Sequence, residues 1–108
     1  MLDENTRKFI DHLIKTNRIV LFMKGNRTFP QCGFSAAVLE VLKKHGVEFH
    51  AVNVLQDANI REGIKEYSEW PTIPQLYIDG EFVGGCDIVR EMDANGELAQ
   101  KLSATPPA

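Results

Sequence analysis

The sequence predicts an α/β fold in which a small mixed sheet of four strands carries helices on both faces. The apolar run "RIVLFMKG" (18–25) is typical of a strand that is buried on both faces. A helix-period segment and a second apolar segment follow, and such a strand–helix–strand unit implies parallel pairing through a right-handed crossover. The Asp-Gly pair within "PQLYIDGEFVGG" (74–85) predicts an antiparallel hairpin.

The first half of the chain supplies two helices and two strands. Residues 3–15 place Phe9, Ile10, Leu13 and Ile14 at helical spacing, and the strand of 18–25 follows after a short polar link. After the loop "NRTFPQ", a second helix is predicted over 33–45, with Gly46 as its stop signal. "VEFHAVNV" (47–54) alternates and predicts the second strand.

The second half adds two helices around the hairpin. Either Asp57 or Asn59 is expected to cap a helix that runs to Glu69, and Glu62 would complete a capping box with Asn59. After the hairpin, Asp87 is expected to cap a last helix with an apolar face of Ile88, Val89, Met92 and Leu98.

The composition indicates one domain over residues 1–108, with a disordered tail at 103–108, "SATPPA". A net charge of −3 gives no general attraction to nucleic acid or to an anionic membrane. No apolar run approaches the ~20 residues that span a bilayer, and the N-terminus lacks the apolar run of a secretion signal. We expect a cytoplasmic protein, or one of an organelle matrix if a transit peptide has been removed.

Cys32 is the first candidate for chemistry because it stands directly before the second predicted helix. The free N–H groups and the dipole of a helix N-terminus stabilise an anion, so a thiolate is favoured there. Lys24, at the end of the preceding strand, would add positive charge. The alternative is that Cys32 is a small packed hydrophobe, but its loop contains proline and glycine and is not an apolar face.

Two further motifs suggest a binding site. In "WPTIPQ" (70–75), a cis Ile73–Pro74 bond would leave the backbone of Ile73 free to pair with an extended peptide. In "GGCD" (84–87), the glycines allow a close backbone approach, and the N–H groups of Cys86 and Asp87 could bind a carboxylate. Asp87 could also receive an ammonium group or simply cap the helix, and Cys86 is more simply explained as a packed thiol.

The remaining charged side chains carry less information. Arg61 and Lys65 lie one helical turn apart and could face an anion, although Lys65 is more simply read as solvated. The three histidines show no metal-ligand spacing with one another or with the cysteines.

Together, Lys24, "CGFS" (32–35), "WPTIPQ" and "GGCD" resemble the monothiol glutaredoxins of the CGFS class. The resemblance extends from about Asp3 to Leu102 and implies a thioredoxin-like fold with a glutathione site. It implies that Lys24, helped by Arg61, meets the glycine carboxylate of glutathione. The other implied contacts are Gly33 and Phe34 in the loop, Ile73 and Pro74 for the cysteinyl part, and Cys86 and Asp87 for the γ-glutamyl end.

The sequence departs from the family pattern at Arg27, where many relatives have proline, and at Ile73, where many have an aromatic residue. We expect Arg27 to leave the loop before Cys32 more mobile. Binding should tolerate Ile73 because its contact runs through the backbone.

Ser35 replaces the second thiol of a dithiol site, which leaves three possible functions. The first, which the resemblance favours, is a carrier of iron–sulfur clusters. Two copies of the chain and two glutathione molecules would hold a bridging [2Fe–2S] cluster and pass it to apo acceptor proteins. A BolA-type protein is a possible partner. The second is a glutathione-dependent oxidoreductase with Cys32 as its nucleophile. The third is an interaction module with an idle thiol, for which a two-ended zwitterion site would serve no purpose.

Overall fold

The computed structural model describes residues 2–103 and contains one four-stranded sheet in the order β2-β1-β3-β4. The strands are β1 (Ile19–Met23), β2 (His50–Asn53), β3 (Gln75–Ile78) and β4 (Glu81–Gly84). β1 pairs in parallel with β2 and antiparallel with β3, and β3 pairs antiparallel with β4. The predicted mixed sheet with a parallel crossover and an antiparallel hairpin is therefore confirmed.

Five helices cover the sheet. Their bounds are α1 (Glu4–Thr16), α2 (Gly33–Lys44), α3 (Ala58–Ser68), α4 (Cys86–Asn95) and α5 (Glu97–Ser103), and a 3-10 turn spans Val54–Gln56. α1 packs against α3 on one face, and α2, α4 and α5 pack together on the other. Helices on both faces were predicted from the sequence.

The alternation of side chains along β1 divides the core into two layers. Ile19, Leu21 and Met23 join the cluster under α2, α4 and α5, whereas Val20 and Phe22 join the cluster under α1 and α3. Successive side chains of a strand point to opposite faces, so a strand covered on both sides must be apolar throughout. All five residues are buried, as the continuous apolar run predicted.

The helix caps confirm one of the two alternatives predicted for α3 and contradict the cap predicted for the last helix. The carboxylate of Asp57 accepts the N–H groups of Asn59 and Ile60 and caps α3, so the capping box of Asn59 and Glu62 does not form. α4 begins at Cys86 with Gly85 as its N-cap. Asp87 therefore lies inside the first turn, and its predicted capping role is wrong.

The predicted last helix is two helices. Gly96 has a φ of 89°, a left-handed conformation that ends α4. α5 then begins at Glu97 and continues to Ser103, so Ser103 belongs to a helix and not to a disordered tail. Residues 104–108, the rest of that predicted tail, lie outside the described residues. No helix of the described part of the chain is long and apolar enough to cross a membrane.

Candidate functional site

Three chain segments meet at one edge of the sheet. β1 ends there and leads to α2 through the loop of residues 24–32, β3 begins there at Gln75, and β4 ends there at Gly84, just before α4. The register fixes this convergence, because Phe22 is paired with Gln75 and Leu76 with Gly84. The N-termini of α2 and α4 therefore open at the same edge of the sheet.

Cys32 is the N-cap residue of α2, and its thiol is partly exposed. The backbone N–H of Ser35, in the first turn of α2, lowers the pKa of the Cys32 thiol most strongly, while partial burial opposes this effect. The N–H of Phe34 and the positive charge of Lys24 lower that pKa further. The helix N-terminus thus stabilises a thiolate, which is the reactive form of cysteine.

Ser35 is fully buried, which the sequence did not predict. Its Oγ accepts the backbone N–H of Lys24 at 3.1 Å, and its hydroxyl also lowers the pKa of Cys32. Ser35 therefore joins the end of β1 to the first turn of α2. Sequence reasoning treated it only as a missing thiol, because the burial of a helix-start serine cannot be read from spacing.

An open groove of about 220 Å³ lies beside the N-terminus of α4. Its lining contains five of the predicted site residues: Phe34, Ile73, Pro74, Cys86 and Asp87. The Ile73–Pro74 peptide bond is cis, as expected. Within residues 2–103, the backbone of Ile73 forms no hydrogen bond, so its N–H and C=O remain available.

Four residues that were not named as ligand contacts also line the groove: Trp70, Thr72, Gly85 and Ile88. The first three belong to the two predicted binding motifs, and Ile88 belongs to neither. Ile88 was counted with the apolar face of the last helix, but it is 39% exposed. Phe34, the implied contact at the start of α2, is 64% exposed. Gly85 fulfils the predicted close approach, since a Cβ there would lie 3.2 Å from the carbonyl oxygen of Pro74.

Charged groups of the site have no partner among the described residues. The Lys24 ammonium, the Arg61 guanidinium and the Asp87 carboxylate form no hydrogen bond or ion pair within that part of the chain. Lys24 is electrostatically coupled to Cys32, and Asp87 lines the groove at the start of α4. Arg61 lies in the first turns of α3 and does not line the groove, and Gly33 lies in open space at the start of α2.

The loop before Cys32 is held by several contacts. Asn26 Oδ1 accepts the N–H groups of Thr28 and Phe29, and Asn53 Oδ1 accepts the N–H of Gly25. The Arg27 guanidinium donates to the carbonyl of Phe49 at 2.9 Å and lies 4.2 Å from the centre of its ring. Arg27 therefore fastens the loop to the start of β2, contrary to the expectation that it loosens the loop.

A family model described as Glutaredoxin matches residues 19–83. This chain belongs to the glutaredoxin family. It is 55% identical over 102 residues to a probable monothiol glutaredoxin 2 of Rickettsia typhi, with 94% of this chain and 92% of that protein covered. A mitochondrial monothiol glutaredoxin-5 of Saccharomyces cerevisiae is 53% identical, with 94% and 69% covered. A chloroplastic monothiol glutaredoxin of Arabidopsis thaliana is 52% identical, with 86% and 54% covered.

Solved glutaredoxin structures share the fold. The solution structure of reduced poplar apo GrxS14 superposes with a TM-score of 0.77 at 51% identity, covering 87% of this chain and 86% of that one. A buckwheat glutaredoxin–glutathione complex superposes with a TM-score of 0.80 at 24% identity, with 94% of each chain covered. The thioredoxin-like glutaredoxin fold predicted from the sequence motifs is thus confirmed.

Proposed function

We propose that this monothiol glutaredoxin binds glutathione in the groove between the Trp70–Pro74 segment and the start of α4. Glutathione is a zwitterion with a carboxylate at each end and an ammonium group at the γ-glutamyl end. The free charges of the site complement it: Lys24 faces the glycine carboxylate, with Arg61 as a second cation, and Asp87 faces the ammonium group.

The backbone completes the proposed ligand contacts. The free N–H and C=O of Ile73 pair with the cysteinyl part of the tripeptide, as an added strand would. The N–H groups of Cys86 and Asp87, at the N-terminus of α4, receive the γ-glutamyl carboxylate. Gly33, Phe34 and Pro74 border the ligand and direct its sulfur toward Cys32.

We propose further that Cys32 of two copies and two bound glutathione molecules hold one [2Fe–2S] cluster. The observation that carries this step is that Cys32 is the one thiol of the CGFS turn, with a lowered pKa, while Ser35 is buried and already hydrogen-bonded. Within residues 2–103, no group of three or more His, Cys, Asp or Glu side chains could hold a metal ion. A cluster needs four ligands, so one chain must share it.

A shared cluster suits a carrier. When glutathione supplies half of the ligands, they exchange with the surroundings, and the cluster can pass to an apo acceptor protein. The bridged state is then a homodimer, and a BolA-type protein that offers a histidine could replace one copy. We place this activity in the cytoplasm or an organelle matrix; relatives named mitochondrial and chloroplastic are compatible with either.

The low thiol pKa also favours a second candidate function, removal of glutathione from protein mixed disulfides. The Cys32 thiolate attacks the glutathione sulfur, and the protein thiolate leaves. A second glutathione thiolate then attacks the Cys32–glutathione disulfide, so that oxidised glutathione departs and the Cys32 thiolate is restored. With Ser35 in the second position, no disulfide closes within the CGFS turn.

Calorimetric titration with glutathione and with its glycine monoethyl ester tests the binding proposal. The ester lacks the carboxylate assigned to Lys24, and a charged hydrogen bond contributes about 1.5–3 kcal/mol, or about 10- to 150-fold in affinity. We expect the parent to lose that factor on esterification and Lys24→Gln to bind glutathione more weakly and to lose most of its sensitivity to the ester, since only Arg61 remains to meet the carboxylate. Asp87→Asn should bind more weakly but remain sensitive to the ester.

Lys65→Gln is the matched control, because Lys65 is a lysine of α3 whose ammonium pairs with Glu62 at 3.4 Å. It should behave as the parent does. A parent protein that does not bind glutathione would refute the binding site and favour an interaction module. A Lys24→Gln variant that keeps the full effect of esterification would show that another group holds the glycine carboxylate.

A further inference from the structure

Gln75 is a fully buried polar side chain directly beneath the groove. It is the first residue of β3 and follows Pro74. A buried carboxamide is costly unless its donors and acceptor are all paired. The hydrogen-bond partners of Gln75 therefore indicate the role of its side chain.

Both N–H donors of the Gln75 side chain are directed at the Trp70–Pro74 segment, which forms one wall of the groove. Nε2 donates to the carbonyl of Trp70 at 3.2 Å and to the carbonyl of Thr72 at 3.1 Å. Its Oε1 accepts the hydroxyl of Tyr77 at 3.3 Å. Since a hydroxyl can donate to Oε1 and carbonyls cannot, Tyr77 fixes the amide in the orientation that presents Nε2 to the wall.

The wall has few other internal hydrogen bonds. The Trp70–Pro74 segment contains two prolines, which lack an N–H, and it belongs to no helix or strand. Among the described residues, the carbonyls of Trp70 and Thr72 accept no hydrogen bond other than those of Gln75. Trp70, Thr72 and Ile73 themselves line the groove.

We propose that Gln75 is a positioning residue of the glutathione groove, whose carboxamide fixes the Trp70–Thr72 backbone and so sets where Ile73 and the Trp70 ring meet the ligand. This inference rests on the proposed glutathione site. Gln75 does not line the groove, so it acts on binding through the wall. Loss of the two Nε2 donors should weaken glutathione binding more than an equally destabilising substitution away from the groove does.

The test compares Gln75→Met, which keeps the length of the side chain but removes both donors, with Leu102→Ala. Leu102 is buried in α5 and is absent from the groove lining. Both variants are measured for thermal unfolding and, where fully folded, for glutathione affinity by calorimetry. We expect Gln75→Met to bind about fivefold or more weakly, the equivalent of one hydrogen bond, and Leu102→Ala to bind as the parent does despite its lower stability.

Fluorescence gives a readout that needs no ligand. Trp70 is the chain's one tryptophan and lines the groove. A loosened wall exposes its ring, so the emission of Gln75→Met should shift to the red, whereas that of Leu102→Ala should not. Tyr77→Phe, which removes only the hydroxyl that orients the amide, should weaken binding in the same direction, and it decides the question if Gln75→Met does not fold.

The outcomes separate the two proposals. If the parent binds glutathione and both Gln75→Met and Tyr77→Phe bind equally well, Gln75 only stabilises the fold and the positioning role is wrong. The same conclusion follows if Leu102→Ala loses as much affinity as Gln75→Met. If the parent itself does not bind glutathione, the proposed function fails and the positioning role fails with it.

Discussion

The buried hydroxyl of Ser35 accepts the backbone N–H of Lys24 at 3.1 Å and also stabilises the thiolate of Cys32. One side chain thus links the strand end that carries the cation to the helix start that carries the thiol. Ser35 therefore has two consequences for the site: it removes the second thiol of a dithiol turn, and its hydroxyl helps to hold the site together.

Substitution of Ser35 by alanine should affect both partners. The Lys24 N–H would lose its acceptor, and an unpaired buried donor costs about 1–3 kcal/mol. The Cys32 pKa should rise because one donor to the thiolate is removed. Chemical denaturation and the pH dependence of Cys32 alkylation measure the two effects. Ser103→Ala, at an exposed serine of α5, is the control; unchanged values in Ser35→Ala would contradict the linkage.

The alkylation rate of Cys32 should reach half of its maximum at a pH below that of an ordinary thiol, which is about 8.5. Because its pKa is lowered in the folded state, the thiolate persists as the pH falls toward that lowered value. The linked contribution to stability is present above the unfolded-state pKa and is lost as the pH falls through the folded-state pKa. Iodoacetamide kinetics with Cys86→Ser as background measure the midpoint, and a midpoint at or above that of free cysteine would contradict this electrostatic account.

Gly84 should tolerate a side chain far less well than Gly33. Gly84 has a φ of 148°, and a Cβ there would lie 2.7 Å from the Cβ of Ile88, while a Cβ at Gly33 meets nothing within 4 Å. We expect Gly84→Ala to lose about 1–3 kcal/mol of unfolding free energy through overpacking and strain. Gly33→Ala should be neutral or slightly stabilising. Equal urea midpoints for the two variants would show that α4 does not need this close approach.

Asp93 should couple stability to acidic pH. Its carboxylate contacts Lys44 Nζ at 2.5 Å and His45 Nε2 at 2.7 Å, and these two groups lower its pKa. A lowered carboxyl pKa stabilises the fold above the unfolded-state value of about 3.9 and ceases to do so as the pH falls through the folded-state value. We expect Asp93→Asn to lower the melting temperature at pH 6 and to converge with the parent as the pH falls through the folded-state pKa of Asp93.

The exposed Asp79 provides the comparison for that experiment, since it forms a separate ion pair with Arg18 at 3.1 Å. Asp79→Asn should change the melting temperature less than Asp93→Asn does, because Asp93 has two partners and lies between α2 and α4. An Asp93→Asn variant with the same melting temperature as the parent at every pH would show that the contacts of Asp93 with Lys44 and His45 do not stabilise the fold.

Most of the fold was predictable because periodicity and turn chemistry agreed. Local sequence alone indicated three features: the buried strand β1 from its apolar run, the hairpin turn at Asp79-Gly80, and the end of α2 at Gly46. The division of the last helix was missed because Gly96 within a helical pattern is ambiguous until its left-handed φ is known. The cap of α3 was left open between Asp57, which the structure confirms, and Asn59, and the cap of α4 was wrongly assigned to Asp87 in place of Gly85.

The site was predictable where chemistry follows from sequence position and not where it follows from packing. Cys32 and Asp87 could be selected from the sequence because they stand at the starts of two predicted helices, where free N–H groups gather. Trp70 and Ile88 line the groove because of the way in which α4 meets the Trp70–Pro74 segment. The buried roles of Ser35 and Gln75 depend on carbonyl and N–H groups brought close only by the fold.

Anaerobic reconstitution with iron and sulfide, with and without glutathione, is the decisive test of whether Cys32 and glutathione together hold a cluster. Visible absorption and size-exclusion chromatography would be read for the parent, Cys32→Ser and Cys86→Ser. We expect a [2Fe–2S] chromophore that requires glutathione, elutes as a dimer, and is lost in Cys32→Ser but kept in Cys86→Ser. A cluster that forms equally well without glutathione, or that Cys32→Ser retains, would contradict that expectation.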